Sequence, residues 1–390
     1  MEKKYYVKNI VNQNETLENC SIVIRDGIIV EVKNEACPVG IRSYDYAIPG
    51  FIDMHTHGGN GHELMDNSVD ALNIISEFYL QNGTTSFLSS TVTDLLSKTE
   101  AVLDTASKFV QTNEQCAMRG TQAKCIGIHL EGPWLSPRNI GAQNTEYCIV
   151  PDNKSFALIQ KYSEIIKMAT FSYHTTESEE LLQLLIDNKI IPACGHDETL
   201  DEKIILGFHN GIQVVTHIYC VTSTFQRKGG LKHLGTLEMA LMTDGVKVEV
   251  IADGKHITKY FWDFIIHNKK VEDIIIISDS MRCAGLPESP DMVYKLGSIN
   301  VVIDNGVAWL EDKSAFAGSV ATMYKNFKRL IKEWNVNIND AVRMTSYNQS
   351  ILLCLENLGG IKEGKTADIL LLDRDLNLQK IIKTGNELSH

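Results

Sequence analysis

Residues 49–59 read Pro-Gly-Phe-Ile-Asp-Met-His-Thr-His-Gly-Gly, and the two histidines of this stretch organise the interpretation of the whole chain. Side chains alternate between the two faces of a strand, so His55 and His57 lie on the same face. The residues before them are apolar enough for a buried strand, and glycines end it. Two imidazoles side by side at the end of a buried strand are typical of half a metal site. The alternative is a pair of histidines satisfied by hydrogen bonds in a loop.

The chain continues as alternating strand-like and helix-like segments. The predicted strands cover residues 47–54, 84–88, 124–130, 167–173, 190–194, 212–216, 246–251 and 273–278. The predicted helices cover residues 69–81, 95–110, 177–188, 200–209, 234–242 and 258–266. This alternation predicts a parallel sheet covered by helices, and eight repeats over roughly 300 residues favour a closed (β/α)8 TIM barrel of the α/β class. An open doubly wound sheet is the structural alternative.

Both chain ends contain short strand-like segments outside this pattern. They cover residues 5–10, 21–24 and 27–32 at the N-terminal end and 364–372 and 380–385 at the C-terminal end. Neither end has enough strands for a sheet with two faces. We therefore expect a small β-sandwich domain built from residues 1–46 plus 355–390, beside a barrel over residues 47–354.

Composition excludes several function classes. The 49 acidic and 37 basic residues give a net charge of −12 without a dense Lys/Arg cluster, so we expect no nucleic-acid partner. No apolar stretch approaches the length of a membrane span, and we expect no membrane association. The nine cysteines are scattered and odd in number, which favours a reducing compartment. The N-terminal residues do not form a signal-peptide core, so we expect a soluble, cytoplasmic protein.

Polar residues of the metal-binding type follow the C-terminal ends of the predicted strands. They are His55, His57, Glu131, His174, His196, His217, Asp253, His256 and Asp279. The C-terminal ends of barrel strands meet at one face, where active sites lie. Residues scattered in sequence should therefore converge in space.

These residue types permit hydrolytic metal chemistry. Imidazoles and carboxylates suit zinc, iron, manganese or nickel, and more ligands are present than one catalytic ion requires. A site for two ions bridged by Glu131 is one interpretation. A bound ion lowers the pKa of water and polarises an amide or ester carbonyl, and Asp279 would then move the proton. The alternative for Asp279 is a helix cap.

The remaining histidines receive structural interpretations. His129 shares a strand face with Glu131, and we interpret it as a hydrogen-bonded histidine of the barrel interior. Five histidines follow no predicted strand and are expected at the surface: His62, His209, His233, His267 and His390.

Six motifs, taken in order, carry a family resemblance. They occupy residues 49–58, 127–134, 195–196, 216–219, 252–256 and 278–280, and the most specific is His-Leu-Glu-Gly-Pro at 129–133. Residues 317–319 and 359–368 extend the match, although the Gly-Lys-x-Ala-Asp tail is shared widely. Together they resemble the N-acetylglucosamine-6-phosphate deacetylase family of the amidohydrolase superfamily, from about residue 47 to residue 372.

The resemblance implies a site and a reaction. Glu131, His196 and His217 hold the principal ion, and His55 and His57 support a second, so the cofactor is one or two divalent ions, zinc or iron. A metal-bound hydroxide attacks the acetyl group with Asp279 as general base and acid, which converts N-acetylglucosamine 6-phosphate into glucosamine 6-phosphate.

The resemblance also implies the partners of the site. The substrate is a phosphorylated N-acetyl amino sugar, and the protein is a homodimer whose neighbouring chain helps to complete the phosphate site. The implied substrate contacts are Ala142, Gln143, Cys220, Val221, Arg227, His256, Phe316, Ala317 and Gly318. For Arg227 there is an independent reason, because a guanidinium holds a phosphate through two hydrogen bonds. The alternative for Arg227 is a solvated surface residue.

Three residues depart from the family pattern. His174 replaces a glutamate, Cys220 replaces an asparagine expected near the sugar phosphate, and Gln143 replaces a histidine found in some members. These changes leave the metal and proton chemistry intact but leave the sugar open. N-acetylgalactosamine 6-phosphate, another N-acyl amide, and a non-catalytic paralogue remain as alternatives.

Overall fold

Eight parallel strands form the central sheet of the computed structural model, which describes residues 2–289 and 292–389. In chain order and in sheet order, they are Phe51–Thr56, Thr84–Ser90, Lys124–Glu131, Ile166–Phe171, Ile191–Cys194, Val214–Val215, Lys247–Ile251 and Ile274–Ile277. Each strand pairs in parallel with the next, as a chain of β-α units requires. We refer to them as barrel strands one to eight.

The barrel strands are apolar on both faces because helices cover the outside and side chains fill the inside. Strand eight shows the alternation, since its four isoleucines are all buried. Ile274 and Ile276 belong to the core beneath the helices, whereas Ile275 and Ile277 belong to the cluster inside the barrel. A strand buried on both faces reads as a continuous apolar run, which explains why the sequence revealed it.

Strand eight meets strand one and nearly closes the barrel. The Asp279 backbone N–H donates to the His55 carbonyl oxygen at 3.0 Å. The carboxylate of Asp53 accepts from the Ser278 backbone N–H at 3.2 Å and from the Ser278 hydroxyl. The predicted TIM barrel is therefore confirmed, and the open doubly wound sheet is not observed among the described residues.

Helices flank the strands and follow strand eight. They are Val69–Gln81, Leu96–Met118, Asn153–Lys161, Glu177–Asp187, Glu202–Asn210, Thr236–Met242, Lys259–Asn268, Met323–Lys332, Ile338–Val342 and Asn348–Leu352, with a π-helical turn at Arg343–Tyr347. Short 3-10 turns occupy Leu64–Asp66, Pro137–Asn139, Thr145–Tyr147 and Val271–Asp273. The helix at Asn153–Lys161, which the periodicity did not predict, begins where the Asp152 side chain accepts from the Ser155 backbone N–H.

The two chain ends form one seven-stranded sheet. Its strands are Glu2–Val11, Thr16–Arg25, Ile28–Asn34, Ser43–Pro49, Ile369–Leu372, Leu378–Lys383 and Asn386–Ser389. The sheet curls over, because the Ile29 backbone N–H donates to the Lys365 carbonyl oxygen at 2.9 Å and the two halves share one apolar cluster. This is the strand-rich unit predicted from both ends.

The predicted first barrel strand, residues 47–54, is divided between the two sheets. Ser43–Pro49 pairs with Glu2–Val11 in the end sheet, and Phe51–Thr56 begins the barrel. A Cβ at Gly50 would lie 2.3 Å from Thr85 Cγ2, so only glycine fits at this junction. The division into domains at residues 46 and 354 stays a prediction, while the strands change sheet at Gly50.

Smaller sheets lie in the connections. Val293–Leu296, Ile299–Asp304 and Val307–Leu310 form a three-stranded antiparallel sheet after strand eight. Gln226–Lys228 pairs with Leu231–His233, and Gly58–Gly59 pairs with His62–Glu63. None of these was predicted, because short exposed strands carry little apolar pattern.

Candidate metal centre and cavity

Six of the predicted strand-end residues converge at the C-terminal face of the barrel. They are His55 and His57 from strand one, Glu131 from strand three, and His196, His217 and Asp279 from beyond strands five, six and eight. All six are buried. His196, His217 and Asp279 have φ values of 46°, 25° and 47°, in the left-handed region that non-glycine residues rarely adopt. Such backbone strain is concentrated at functional sites.

The Glu131 carboxylate lies at the centre of this cluster. Its Oε1 lies 2.9 Å from His217 Nε2, 3.2 Å from His196 Nε2 and 3.5 Å from His55 Nε2. Its Oε2 lies 3.5 Å from His57 Nε2. One oxygen thus faces three imidazoles and the other faces His57, so a single carboxylate contacts all four histidines.

Asp279 completes the cluster on the side of the paired histidines. Its Oδ1 lies 3.3 Å from His57 Nε2 and 3.6 Å from His55 Nε2. The carboxylate is therefore beside the imidazoles and beside the cavity that the cluster opens into.

The geometry fits divalent ions. One group of possible ligands is Glu131, His196 and His217, and a second is His55, His57 and Glu131, each with its ligand atoms within 4.8 Å of one another. Two ligands of a tetrahedral zinc ion are about 3.4 Å apart when each lies about 2.1 Å from the metal. His55 Nε2 is buried without a hydrogen-bond partner among the described residues, as expected of a nitrogen that serves as a metal ligand.

Hydrogen bonds at Nδ1 orient three of the histidines. His57 Nδ1 lies 3.3 Å from the Ser90 carbonyl oxygen, and His196 Nδ1 lies 3.0 Å from the Ile140 carbonyl oxygen. His55 Nδ1 lies 3.0 Å from a carboxylate oxygen of Glu249. When an ion binds, a proton held at Nδ1 leaves the lone pair of Nε2, the atom that faces Glu131, available as a ligand.

The imidazoles keep both central carboxyl groups ionised. In the metal-free protein, burial raises the pKa of Glu131, but hydrogen bonds from His196 and His217 outweigh the effect of burial, and the pKa lies well below its ordinary value. Burial likewise opposes ionisation of Asp279, yet the hydrogen bond with His57 and the charges nearby lower its pKa. Asp279 is therefore ready to accept a proton at neutral pH.

His129 is satisfied by other side chains. Its Nδ1 lies 3.0 Å from the Ser90 hydroxyl and its Nε2 lies 2.7 Å from the Thr170 hydroxyl. Burial, followed by the charge of His55, holds the pKa of His129 well below its usual range. This arrangement matches the interpretation of His129 as a barrel histidine.

A cavity of about 290 Å³ opens above the cluster. The residues that line it are His57, Glu131, Gly141, Ala142, Gln143, His196, His217, Tyr219, Cys220, Val221, His256, Asp279, Leu296, Ala315, Phe316, Ala317 and Gly318. Eight of the nine predicted substrate contacts are in this set. Arg227 is not: it lies exposed on the hairpin strand Gln226–Lys228.

His256 is held in place by Asp253. The Asp253 carboxylate accepts from the Lys255 and His256 backbone N–H groups at 2.8 Å and lies 2.7 Å from His256 Nδ1. Burial raises the pKa of Asp253, but the hydrogen bond with His256 more than compensates, and its pKa is lowered. The Phe316 ring packs against His256 with centroids 4.9 Å apart.

Gln143 and His174, two of the residues that depart from the family pattern, each make defined hydrogen bonds. Gln143 donates from Nε2 to Glu131 Oε2, and its Oε1 accepts from the Thr93 backbone N–H at 2.8 Å. His174 lies outside the ligand cluster, with Nδ1 2.8 Å from the Ser172 hydroxyl, in a separate polar depression with Arg138, Glu198 and Lys203. His390, one of the predicted surface histidines, lies outside the described residues.

Sequence reasoning missed two buried carboxylates near the cluster. Glu249 contacts His55 from strand seven, and Asp53 joins strand one to strand eight. The available signal was an acidic residue inside an apolar strand, Lys-Val-Glu-Val-Ile at residues 247–251. Leu296 of the unpredicted three-stranded sheet also lines the cavity.

Comparison with known proteins gives consistent matches. The profile of the Amidohydrolase family matches residues 46–388. The chain is 31% identical to an N-acetylglucosamine-6-phosphate deacetylase of Bacillus subtilis (strain 168), over 97% of this chain and 94% of that one. It is 26% identical to an N-acetylgalactosamine-6-phosphate deacetylase of Escherichia coli O157:H7, over 96% of both chains.

A solved structure extends the similarity to the fold. The N-acetylglucosamine-6-phosphate deacetylase of Thermotoga maritima superposes with a TM-score of 0.88 at 29% identity, covering 100% of both chains. Separately, no helix among residues 2–289 and 292–389 is both long and apolar enough to cross a membrane.

Proposed function

The chain belongs to the amidohydrolase family, and we propose that it hydrolyses N-acetylglucosamine 6-phosphate to glucosamine 6-phosphate and acetate. The observation that carries this proposal is the placement of Asp279 and the Glu131-centred cluster at the floor of a cavity of about 290 Å³. Relatives named N-acetylglucosamine-6-phosphate deacetylase, at 29% and 31% identity along nearly the whole chain, support the choice of substrate.

The residues that would hold the ions follow from the donor set. Glu131, His196 and His217 would hold the principal ion, and His55 and His57 would hold a second that shares Glu131. Zinc or iron suits this imidazole and carboxylate set. When bound, a divalent ion there polarises the amide carbonyl and lowers the pKa of a water molecule.

Asp279 would accept and then donate the proton of the reaction. Its carboxylate takes one proton from the attacking water as the water oxygen bonds to the acetyl carbon. The same proton then passes to the amine nitrogen as the C–N bond breaks. One ionised carboxylate beside the cavity is sufficient for both transfers, so the base and the acid are the same group at successive steps.

The cavity walls would select the sugar. His256 donates from Nδ1 to Asp253, which leaves Nε2 as an acceptor. Nε2 can therefore accept a hydrogen bond from a sugar hydroxyl or from a protonated phosphate oxygen. Phe316, Ala317 and Gly318 also line the cavity, where an aromatic ring can pack against the apolar face of a hexose.

We infer that the neighbouring chain of a homodimer completes the phosphate site. Among the described residues that line the cavity, none is Lys or Arg, although a phosphate group needs a cationic partner. Arg227 lies on an exposed hairpin, and apolar side chains exposed by 46–86% lie on the same hairpin, on the loop before it and on two helices: Phe225, Leu231, Met242, Tyr260, Phe261 and Phe264. Tyr219 links the cavity to this apolar surface by packing against Phe261. An apolar surface of this kind is typical of a subunit interface.

N-acetylgalactosamine 6-phosphate is the second candidate substrate. The relative from Escherichia coli O157:H7 is named for that sugar, and its alignment with this chain covers 96% of both. Cys220 lines the cavity where asparagine was expected.

We place the protein in the cytoplasm, because all nine cysteines are free thiols in the structure.

The test is an acetate-release assay on the metal-loaded protein. The panel contains both epimeric 6-phosphates and the two unphosphorylated N-acetylhexosamines. We expect the highest kcat/KM for N-acetylglucosamine 6-phosphate. Preference for the galacto epimer would select the second candidate, and absence of acetate from every substrate would overturn the deacetylase proposal.

A further inference from the structure

Glu249 is a fully buried carboxylate that the reaction described above does not use. It lies on barrel strand seven, between Val248 and Val250, which pack beneath the helices. Alternation along the strand therefore directs Glu249 into the barrel interior. An ionisable side chain is costly there unless it has partners and a countercharge.

Glu249 contacts two of the metal-site histidines through one oxygen. Its Oε2 lies 3.0 Å from His55 Nδ1 and accepts from the His217 backbone N–H at 3.3 Å. Its Oε1 is buried and has no hydrogen-bond partner among the described residues. The Glu249 side chain thus contacts one residue of each ligand group, His55 and His217, but does not line the cavity.

His55 differs from the other three histidines of the cluster in the partner of its Nδ1 atom. His57 and His196 place Nδ1 near backbone carbonyl oxygens, and His217 Nδ1 has no partner among the described residues. A carboxylate makes a stronger acceptor than a carbonyl and raises the basicity of the imidazole more. Of the four, His55 alone has a carboxylate at its Nδ1.

The contact with Glu249 decides which nitrogen of His55 is available to an ion. With the proton at Nδ1, the His55 Nε2 lone pair faces Glu131 Oε1 at 3.5 Å and Asp279 Oδ1 at 3.6 Å. A lone pair directed at two carboxylate oxygens is repulsive. A divalent ion between these atoms turns the same arrangement into a set of ligands.

The 3.0 Å contact with His55 Nδ1 and the absence of Glu249 from the cavity lining point to a role that acts through His55. We propose that Glu249 is a positioning residue that holds His55 for the second ion and sets the affinity of that second site. This inference rests on the two-ion capacity of the proposed function.

The test is a Zn²⁺ titration of the purified, metal-free protein without any sugar. The wild type, Glu249→Gln and the control Glu272→Gln are compared by competition with a chromophoric chelator and by metal analysis after dialysis. Glu272 is an exposed carboxylate on the turn before strand eight. Glu249→Gln keeps the size of the side chain and removes its charge.

We expect the dissociation constant of the second ion to rise about 10- to 100-fold in Glu249→Gln, while that of the first ion changes less than about twofold. Glu272→Gln should match the wild type. Equal titrations for all three proteins would overturn the proposal, as would loss of both ions together or a wild type that binds a single ion. Because no sugar is present, these outcomes do not depend on which substrate the enzyme uses.

A measurement on the wild type covers the case in which Glu249→Gln does not fold. NMR of protein labelled with ¹⁵N-histidine reports which ring nitrogen carries the proton, and His55→Asn assigns the signal. We expect His55 to be protonated at Nδ1 in the zinc-loaded protein. A proton at Nε2 would overturn the proposal.

Discussion

Replacing Asp279 with asparagine isolates proton transfer from metal binding and folding. Asparagine has nearly the same shape but cannot accept the water proton. The backbone at this position is held independently of the side chain, since its N–H donates to the His55 carbonyl oxygen at 3.0 Å and its carbonyl accepts from the Ser319 N–H at 2.9 Å. We therefore expect Asp279→Asn to fold and to keep the Glu131, His196 and His217 site.

We expect a large fall in kcat because no other carboxylate at the cavity is free to transfer the proton. Among the described residues that line the cavity, the only other carboxylate is Glu131, and imidazoles and the Gln143 amide already occupy its oxygens. General acid–base catalysis contributes about 10²- to 10⁴-fold, and here a single group serves both transfers. We expect kcat to fall about 10³- to 10⁴-fold, which is about 4 to 5.5 kcal/mol in the activation free energy.

The assay combines acetate release with metal analysis and a thermal melt on the same preparation. Asp244→Asn is the matched control, because Asp244 is exposed and its side chain pairs with Lys270. The control should keep wild-type turnover. A kcat within tenfold of wild type in Asp279→Asn, at normal metal content, would refute the proton-transfer role. Loss of metal in proportion to activity would show that Asp279 acts as a ligand instead.

Three further predictions concern the phosphate, the Gln143 hydrogen bond and acid stability. We expect Arg227 to contact the phosphate in the cavity of the neighbouring chain, so Arg227→Ala should raise KM for the 6-phosphate about 10- to 100-fold and leave KM for the unphosphorylated sugar unchanged; equal effects on both sugars would contradict it. Gln143→Ala leaves the buried Thr93 N–H without its acceptor, so urea unfolding should show a loss of about 1–3 kcal/mol, and an unchanged midpoint would count against that contact. The pKa of Glu131 is lowered from 4.5 in the folded state, so its stabilisation is present above about pH 4.5 and is lost as the pH falls further. The melting temperature of the metal-free protein should therefore drop below that pH, and less steeply in Glu131→Gln; parallel curves would contradict the assignment.

The barrel and most of its metal site could be predicted from the sequence. Strands buried on both faces, such as Ile274–Ile277, are continuous apolar runs, and that signal is local. The ligands follow those runs directly, so the position of Glu131 or His217 at a strand end could be read without coordinates. Barrel geometry then required the ends to meet.

Several features of the site were not predictable because their contacts join distant segments. Glu249 and His55 are separated by 194 residues, and nothing near Glu249 in sequence indicates a partner. The change of sheet at Gly50 depends on the close approach of Thr85, which a single predicted strand over residues 47–54 could not show. Arg227 was predicted as a phosphate ligand, but the structure places it on an exposed hairpin outside the cavity lining.

The sequence by itself determined the order of strands and helices, the eightfold repeat and the identity of the residues at the strand ends, because periodicity and local composition encode them. Only the tertiary structure decided which oxygen of Glu131 faces which imidazoles, which acid lies behind His55, and which predicted contacts reach the cavity. Those outcomes depend on barrel closure, which sets distances of about 3 Å between atoms that the chain separates by tens to hundreds of residues.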